Sequence, residues 1–211
     1  YANGEYSVCT AFTEPDGNVF YKRFEHTWKS GNCVFCGASE SVYNRGEELE
    51  SYAYPFLHTN ENEKVFDMKF DVIIGNPPYQ LGDSGFGKSA KPIYNLFVEQ
   101  AKRLNPRYLC MIIPSRWYSG GKGLNSFREE MLKDRRLKVL VDYSDSADIF
   151  PGVDIAGGIC YFLWERDYNG KCKVINKVMD KDSESERFLD EFETLVRYAE
   201  AIPIIRKIQE I

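Results

Sequence analysis

The feature that most constrains the fold is a regular alternation of segment types between Phe70 and Tyr143. Three apolar runs, "DVIIG", "RYLCMIIP" and "LKVLVDY", predict buried strands, Val72 to Ile74 being the core of the first. The segments between them, "KPIYNLFVEQAKRL" and "LNSFREEMLKD", carry apolar residues at helical spacing. Strand, helix, strand, helix, strand is the order of a mostly parallel sheet with helices on its faces. We therefore expect an α/β protein.

The segments on either side of this core are less regular. After a loop, "GGICYFLWE" predicts a last strand that is antiparallel, in a hairpin or at a sheet edge, because no helix precedes it. Residues 1–65 form an irregular region in which "NVFYKRFEHTW" alternates like a strand and a short helix runs from about Gly46 to Tyr54. Residues 168–211 are expected to be a polar loop and a C-terminal helix that breaks at Pro203 and leads to a further domain. Residues 66–167 are the expected regular α/β core.

Composition and charge narrow the function classes. A chain of 211 residues with 43% apolar content can bury a sizeable core. Its six cysteines are too sparse for a disulfide scaffold, and no apolar run approaches the roughly 18 residues that cross a bilayer. We expect a cytoplasmic protein with no membrane partner. Because the chain begins at Tyr1 rather than at methionine, we also expect it to be part of a larger protein.

The net charge bears on nucleic acid as a partner. A net charge of -5 argues against wrapping nucleic acid by bulk electrostatics, although a local basic patch remains compatible with it. Lys133, Arg135, Arg136 and Lys138 form one such patch, which the solvated end of a helix explains more simply.

The stretch "GNPPYQ" after the first strand is the strongest chemical signal. Asn76 stands where open parallel sheets bind ligands, just beyond the carboxyl end of a strand. Pro77 and Pro78 fix the backbone and remove two amide donors, which leaves rigid carbonyl acceptors. An exocyclic amino group would suit this array, with one N–H donated to the Asn76 side-chain oxygen and the other to the Pro77 carbonyl. Tyr79 adds a face on which a planar base can stack.

These residues resemble a known family. "DVIIGNPPYQ" is similar to motif IV of the class I S-adenosylmethionine-dependent methyltransferases that act on exocyclic or amide nitrogen. The resemblance is closest to the DNA adenine-N6 methyltransferases of bacterial restriction-modification systems. It extends over residues 66–166, where "KPIYNLFVEQAKRLNPRYLCMIIPSRW" and "ADIFPGVDIAGGICYFLW" are similar to later motifs. It implies a Rossmann-like sheet, methyl transfer from S-adenosylmethionine to adenine in double-stranded DNA, and a restriction endonuclease domain or subunit as partner.

The resemblance also implies residue roles. The target adenine is flipped out of the duplex, because its amino group cannot be reached inside the stack. Asn76, Pro77, Pro78 and Tyr79 form the implied catalytic set, in which Tyr79 stacks on the base and Phe150 of "DIFPG" presses on its other face. The methyl group passes directly to nitrogen in an in-line displacement, so that catalysis is mainly positioning and electrostatics.

The chain departs from the family in its methyl-donor site. Members bind the donor with a glycine-rich loop after the first strand and an acidic residue after the second, and neither stands upstream of residue 71. Asn60 occupies the place of a donor-contacting aspartate of some members, so Asn60 and Asn76 are the candidate cofactor residues. We therefore expect the chain to lack the N-terminal half of the donor site and to bind S-adenosylmethionine poorly.

Two alternative functions follow from the same region. "GDSGFGKS" matches a phosphate-binding loop from Gly82 to Ser89, with Asp142 at the end of a strand as in a Walker B motif. Six residues separate the first strand from Gly82, whereas a phosphate-binding loop follows its strand directly. Despite this gap, a P-loop nucleotide-binding module is an alternative from another class of function. Within the enzymes, an RNA adenine or protein glutamine N-methyltransferase would use the same Asn-Pro-Pro-Tyr loop.

Two further sets of residues are candidate binding groups. Cys33 and Cys36 have the spacing of half a zinc knuckle, which predicts either a structural zinc or two reduced cysteines in a turn. A non-enzymatic, zinc-stabilised interaction module is therefore a further alternative function. Arg116 and Lys122 lie on a glycine-rich loop after the second strand. They are candidate contacts to nucleic-acid phosphates, and helix capping explains them equally well.

Overall fold

The computed structural model describes residues 5–10, 18–23, 27–34, 39–40, 69–80, 91–177 and 182–209. The chain forms two compact units. One comprises Tyr1–Phe70 and Gln80–Asn105, and the other comprises Asp71–Tyr79 and Pro106–Ile211.

The first unit contains two antiparallel strand pairs and one helix among its described residues. They are β1 (Glu5–Thr10), β2 (Asn18–Arg23), β3 (Trp28–Lys29), β4 (Asn32–Cys33) and α1 (Tyr94–Arg103). Ser30 and Gly31 join β3 to β4 with φ angles of 52° and 76°, the left-handed backbone that a two-residue hairpin turn requires. Strand β2 and helix α1 confirm the corresponding sequence predictions, whereas the predicted helix from about Gly46 to Tyr54 lies outside the described residues.

The second unit is built on a six-stranded sheet in the order β10-β9-β7-β8-β6-β5. Its strands are β5 (Val72–Gly75), β6 (Tyr108–Pro114), β7 (Leu137–Tyr143), β8 (Ile159–Glu165), β9 (Cys172–Lys177) and β10 (Ser183–Arg187). Its helices are α2 (Asn125–Lys133) and α3 (Ile202–Gln209). Strands β5, β6, β7 and β9 run in one direction, and β8 and β10 run against them. This confirms the α/β class and the mostly parallel sheet.

The strand "ICYFLWE" is antiparallel and pairs with the preceding strand β7, as the hairpin alternative predicted, but the alternative position at a sheet edge is wrong. Strand β8 lies in the sheet interior and pairs along its length with both β6 and β7. Phe162 and Trp164 on this strand are fully buried.

The interpretation of the stretch after residue 168 as a polar loop missed two strands. Strand β9 alternates buried and partly exposed residues, and β10, "SESER", pairs antiparallel with it at the sheet edge. Lys173 and Glu184 form an ion pair of 2.8 Å across these two strands. Charged residues are typical of edge strands, because one row of the backbone faces water there. The polar sequence therefore concealed regular structure.

The C-terminal helix also differs from its prediction. Helix α3 begins at Ile202, so Pro203 is its second residue rather than a break. A proline is tolerated in the first turn, where its missing N–H has no partner within the helix. Among the described residues, no helix is long and apolar enough to cross a membrane.

The core of the second unit lies along β6, β7 and β8. Leu109, Ile113 and Leu140 are fully buried there. Strand β5 forms as predicted, and it is the outermost strand on the side opposite to β10. The predicted burial of its apolar residues is wrong. Val72 and Ile74 are 51% and 77% exposed, and within the described part of the chain β5 has a sheet neighbour on one side only.

Candidate active site

Three loops leave the sheet at the end where its parallel strands finish, which we call the carboxyl edge. Strands β5, β6 and β7 are parallel, and residues 76–79, 115–124 and 144–158 follow their carboxyl ends. Strand β8 runs the other way, so it begins at the same edge. This is the edge at which open α/β sheets bind ligands, and it carries the predicted site residues Asn76, Arg116 and Phe150.

The Asn-Pro-Pro-Tyr loop presents its polar group to solvent. Asn76 and Pro78 are exposed, whereas Pro77 is buried and Tyr79 is half-buried. Because Pro77 has a fixed φ and a buried ring, the backbone that carries Asn76 has little freedom. The side-chain amide of Asn76 is therefore held by a rigid loop and open to a ligand.

The ring of Tyr79 is the functional part of that residue. Its hydroxyl is buried without a hydrogen-bond partner among the described residues. Burial, reinforced by the neighbouring thiol of Cys160, raises the pKa of Tyr79 to about 12. The phenol thus stays neutral near physiological pH, and its unpaired hydroxyl costs about 1–3 kcal/mol. An uncharged aromatic face remains for stacking.

Cys160 lies in the interior beneath the site. It pairs with Ile113 on β6 and with Asp142 on β7. It is fully buried, and this burial raises the pKa of its thiol to about 11. The thiol is therefore protonated and inert rather than a nucleophile.

The loop that carries Phe150 is bonded internally. Ser146 is buried, and its hydroxyl donates to the Val153 carbonyl at 2.7 Å and accepts from the Ile155 N–H at 2.9 Å. The Phe150 N–H donates to the Ser146 carbonyl at 2.8 Å. Phe150 itself is half-buried. Ser146 thus fixes the conformation of the loop that presents Phe150.

Two glycines bring this loop against the one that carries Arg116. The Ser115 N–H donates to the Gly158 carbonyl at 3.0 Å, and the backbone of Gly157 packs against that of Arg116. Gly158 has a φ of +81°, and a Cβ there would lie 2.2 Å from the Tyr143 carbonyl oxygen. Only glycine fits here, where the end of the connection from β7 to β8 passes close to its beginning.

The predicted phosphate contacts lie near each other in the chain but differ in environment. Arg116 belongs to the 3-10 turn Ser115–Tyr118 and is half-buried, with its Nε buried and unpaired among the described residues. Lys122 is exposed, at a φ of 48°, in a glycine-rich turn that is held by a 2.9 Å bond from the Gly121 N–H to Asn125. Their role toward phosphate stays a prediction.

Asp142 is the residue whose importance the sequence did not reveal. It is fully buried and accepts hydrogen bonds from Ser115 Oγ at 2.8 Å and from Asn176 Nδ2 at 2.9 Å. Arg197 Nε lies 2.7 Å from its Oδ2. Burial raises the pKa of Asp142, and Arg197 offsets part of the rise. A carboxylate so enclosed is not presented to a nucleotide, so its interpretation as a Walker B residue is wrong.

Other predicted binding residues fall largely outside the described part of the chain. These are Asn60, Cys36 and the segment from Gly82 to Ser89. Cys33 is described and is 3% exposed in β4. Within the described residues, no three or more His, Cys, Asp or Glu side chains cluster as metal ligands. The zinc prediction gains no support there.

The basic patch after α2 lies away from these loops. Three of its residues, Lys133, Arg135 and Arg136, line a cleft of about 590 Å³ between residues that precede β7 and residues that follow β8, at the end of the sheet opposite to these loops. Arg135 forms a two-pronged ion pair with Asp190, at 2.8 and 2.9 Å, and Arg136 pairs with Asp134 at 2.7 Å. Arg135 and Arg136 are therefore engaged within the protein.

A mostly parallel α/β sheet with an Asn-Pro-Pro-Tyr loop at its carboxyl edge is the arrangement that the sequence resemblance associates with amino-methylating methyltransferases. The sequence matches the Eco57I restriction-modification methylase family over residues 5–150, and the chain belongs to that family.

Individual relatives agree with this assignment. An uncharacterized adenine-specific methylase from Mycoplasma pneumoniae is 41% identical over 190 residues, which cover 83% of this chain and 45% of the relative. The chain thus spans less than half the length of that curated relative.

Two solved structures are similar to this chain at low identity. A chain from a type I restriction-modification system is 15% identical with a TM-score of 0.42, covering 70% of this chain and 31% of its own. The type I methyltransferase subunit from Streptococcus thermophilus is 16% identical with a TM-score of 0.39, covering 67% of this chain and 32% of its own. Both scores lie below 0.5, so the assignment depends on the family match.

Proposed function

We propose that this chain carries the base-binding part of an enzyme that transfers a methyl group from S-adenosylmethionine to N6 of adenine in double-stranded DNA. The single observation that carries the proposal is the Asn-Pro-Pro-Tyr loop itself. An exposed Asn76 amide stands on a rigid backbone, beside the neutral ring of Tyr79, at the carboxyl edge of the sheet. Family membership and the adenine-specific relative support the choice of substrate.

The proposed chemistry requires positioning rather than acid-base catalysis. A flipped adenine would donate one N–H to Asn76 Oδ1 and the other to the Pro77 carbonyl, while its ring stacks on Tyr79. Phe150, on the loop that follows β7, is the proposed surface for the opposite face of the base. These contacts hold the amino nitrogen at one point and orient its lone pair, and such orientation can lower a barrier by several kcal/mol.

The methyl donor belongs to the same proposal. When bound, S-adenosylmethionine supplies an electrophilic methyl group on a sulfonium. The exposed Asn76, at the edge where such sheets hold their ligands, fits a contact to it, and Asn60 is the other proposed contact. Arg116 and Lys122 are proposed to contact phosphates that flank the flipped nucleotide.

We also propose a setting for this activity. A restriction-modification methylase protects DNA that a restriction endonuclease would otherwise cleave, so an endonuclease domain or subunit is the proposed protein partner. Its DNA substrate would place the protein in the cytoplasm of a bacterial cell.

The test is methyl transfer by the full-length protein. It would be incubated with S-adenosylmethionine labelled with tritium in the methyl group and with DNA from a strain that lacks adenine methylation. The DNA would then be digested to nucleosides and separated. We expect the label in N6-methyldeoxyadenosine. Label confined to parallel samples of RNA or of protein glutamine would contradict the proposed substrate and favour the RNA or glutamine alternative.

A further inference from the structure

Arg197 connects the segment after β10 to the interior of the sheet. Its Nε lies 2.7 Å from Asp142 Oδ2, and its Nη2 donates to Asp142 Oδ1 at 3.1 Å. The same Nη2 donates to the Gly157 carbonyl at 2.6 Å. The Arg197 side chain is 22% exposed, whereas that of Asp142 is 0% exposed. One guanidinium thus joins a buried carboxylate to the backbone of the loop that carries Phe150.

The same segment also holds the loop after β6. The Leu195 N–H donates to the Tyr118 carbonyl at 3.2 Å, and the guanidinium of Arg197 lies 5.3 Å from the centre of the Tyr118 ring. Asp142, in turn, accepts the hydroxyl of Ser115 at 2.8 Å. Arg197 therefore acts on both loops, on 144–158 directly and on 115–124 through Asp142 and Tyr118.

This set of contacts needs the planar guanidinium group of an arginine. A guanidinium presents planar donors in fixed directions, so it can bond both oxygens of Asp142 and still reach the Gly157 carbonyl. A lysine ammonium carries the same charge but cannot reproduce this geometry. Lysine would thus compensate the buried carboxylate without joining it to the loop.

We propose that Arg197 is a positioning residue of the base pocket, which fixes the loop of Arg116 and the loop of Phe150 against each other through Asp142 and the Gly157 carbonyl. This inference depends on the proposed function, since it assigns those two loops to the flanks of a flipped base. Arg197 touches neither base nor donor in this account. It acts through the backbone on which Phe150 and Arg116 stand.

The alternative is that Arg197 only stabilises the fold. The two roles differ in what a lysine can rescue. If Arg197 only compensates the charge of Asp142, Arg197→Lys restores both stability and turnover relative to Arg197→Met. If it positions the loops, Arg197→Lys restores stability but leaves turnover low.

The experiment uses the full-length protein and three variants. Arg197→Met and Arg197→Lys are compared with Arg206→Met, which removes an arginine from another two-pronged ion pair, that of exposed Arg206 with Glu191. Hydrogen exchange followed by mass spectrometry measures protection of residues 144–158. Transfer of labelled methyl groups to unmethylated DNA measures kcat and the KM for DNA well below each melting temperature.

The expected result is faster exchange of residues 144–158 in both Arg197 variants and unchanged exchange in Arg206→Met. Strand β8 should keep its protection in all three. A displacement of about 1 Å in positioning groups can lower the reaction rate about 100-fold. We therefore expect a roughly 10- to 100-fold loss of kcat in both Arg197 variants. The KM for DNA should change less than about threefold, since the phosphate contacts are not removed.

Two results would overturn the proposal: unchanged exchange of residues 144–158 in Arg197→Met, or normal kcat in Arg197→Lys. A wild-type protein that transfers no methyl group would instead overturn the proposed function. The exchange measurement would still decide whether Arg197 holds the loop, so the two failures are distinguishable.

Discussion

Arg197 binds both carboxylate oxygens of Asp142, although the two residues lie 55 positions apart in the chain. The carboxylate is fully buried. Replacing one partner of such a pair leaves a charge in the interior without compensation, which is costly. The stability of the fold should therefore become more sensitive to pH when Arg197 is lost.

The direction of that pH dependence follows from Asp142. Burial raises the pKa of this carboxyl, and Arg197 is the largest influence that lowers it, so Arg197→Met should raise it further. An aspartate with a raised pKa in the folded state contributes stability at low pH and loses it as the pH rises through that pKa. The melting temperature of Arg197→Met should therefore fall further below that of the wild type at about pH 8 than at about pH 5.

Differential scanning calorimetry at the two pH values measures this difference. The double variant Arg197→Met, Asp142→Asn is the control, since it has no carboxyl to titrate at this position. Its deficit should be nearly the same at both pH values. An equal deficit in the single variant would contradict the assignment of the pH dependence to Asp142.

Gly158 provides a test of the close approach between the two ends of the connection from β7 to β8. A Cβ at this position would lie 2.2 Å from the Tyr143 carbonyl oxygen, and the φ of +81° is itself unfavourable for alanine. Gly158→Ala should lower the free energy of unfolding by more than about 3 kcal/mol. Gly152 has the same φ of +81° but open space around its Cα, so Gly152→Ala should cost about 1 kcal/mol. Equal losses in urea unfolding would contradict the steric argument.

Ser146 should determine the order of the loop that carries Phe150. Its buried hydroxyl makes two hydrogen bonds to that loop, so Ser146→Ala leaves the Ile155 N–H and the Val153 carbonyl unpaired. We expect a loss of about 1–3 kcal/mol in unfolding free energy and faster hydrogen exchange at residues 147–155. Ser126, exposed on α2, is the control, and Ser126→Ala should change neither quantity. If hydrogen exchange of residues 147–155 is the same in Ser146→Ala as in the wild type, other contacts hold the loop.

The ring and the hydroxyl of Tyr79 can be separated by mutation. The hydroxyl is buried without a described partner, so Tyr79→Phe should keep kcat/KM within about threefold and hold or raise stability. Tyr79→Ala removes the stacking face, and a base-aromatic stack contributes about 1–3 kcal/mol, so kcat/KM should fall about 10- to 100-fold. Methyl transfer to DNA measures both. A large loss in Tyr79→Phe would mean that the hydroxyl, not the ring, acts on the substrate.

The sequence predicted those parts of the fold that depend on local patterns. Strands β5, β6 and β7 and helices α1 and α2 follow from apolar periodicity, and the position of Asn76 after β5 follows from strand order. The burial of Val72 and Ile74 was misjudged, because periodicity does not show which strand has a neighbour on one side only. The charged strand β10 was missed for a related reason, since polar residues at a sheet edge look like a loop.

Local sequence patterns could not predict the contacts that shape the candidate site. No spacing in the sequence connects Asp142 with Arg197, or Gly157 with Arg116, because these pairs meet only when the sheet has formed. The isolated acidic residue at the end of β7 resembled a nucleotide-binding carboxylate instead. A buried charge finds its partner through the tertiary fold, so its role emerges only with the structure.

The central claim is that Asn76 binds the amino group that receives the methyl. The most direct measurement is the kcat of the Asn76→Ala variant of the full-length protein for methyl transfer to adenine in DNA, together with its binding of S-adenosylmethionine by calorimetry. Asn169→Ala, at an exposed asparagine at the other edge of the sheet, is the matched control. Loss of the acceptor should lower kcat at least about 100-fold, whereas donor affinity should fall only about tenfold or less, because the proposed contact from Asn60 remains. Wild-type turnover in Asn76→Ala would contradict the account.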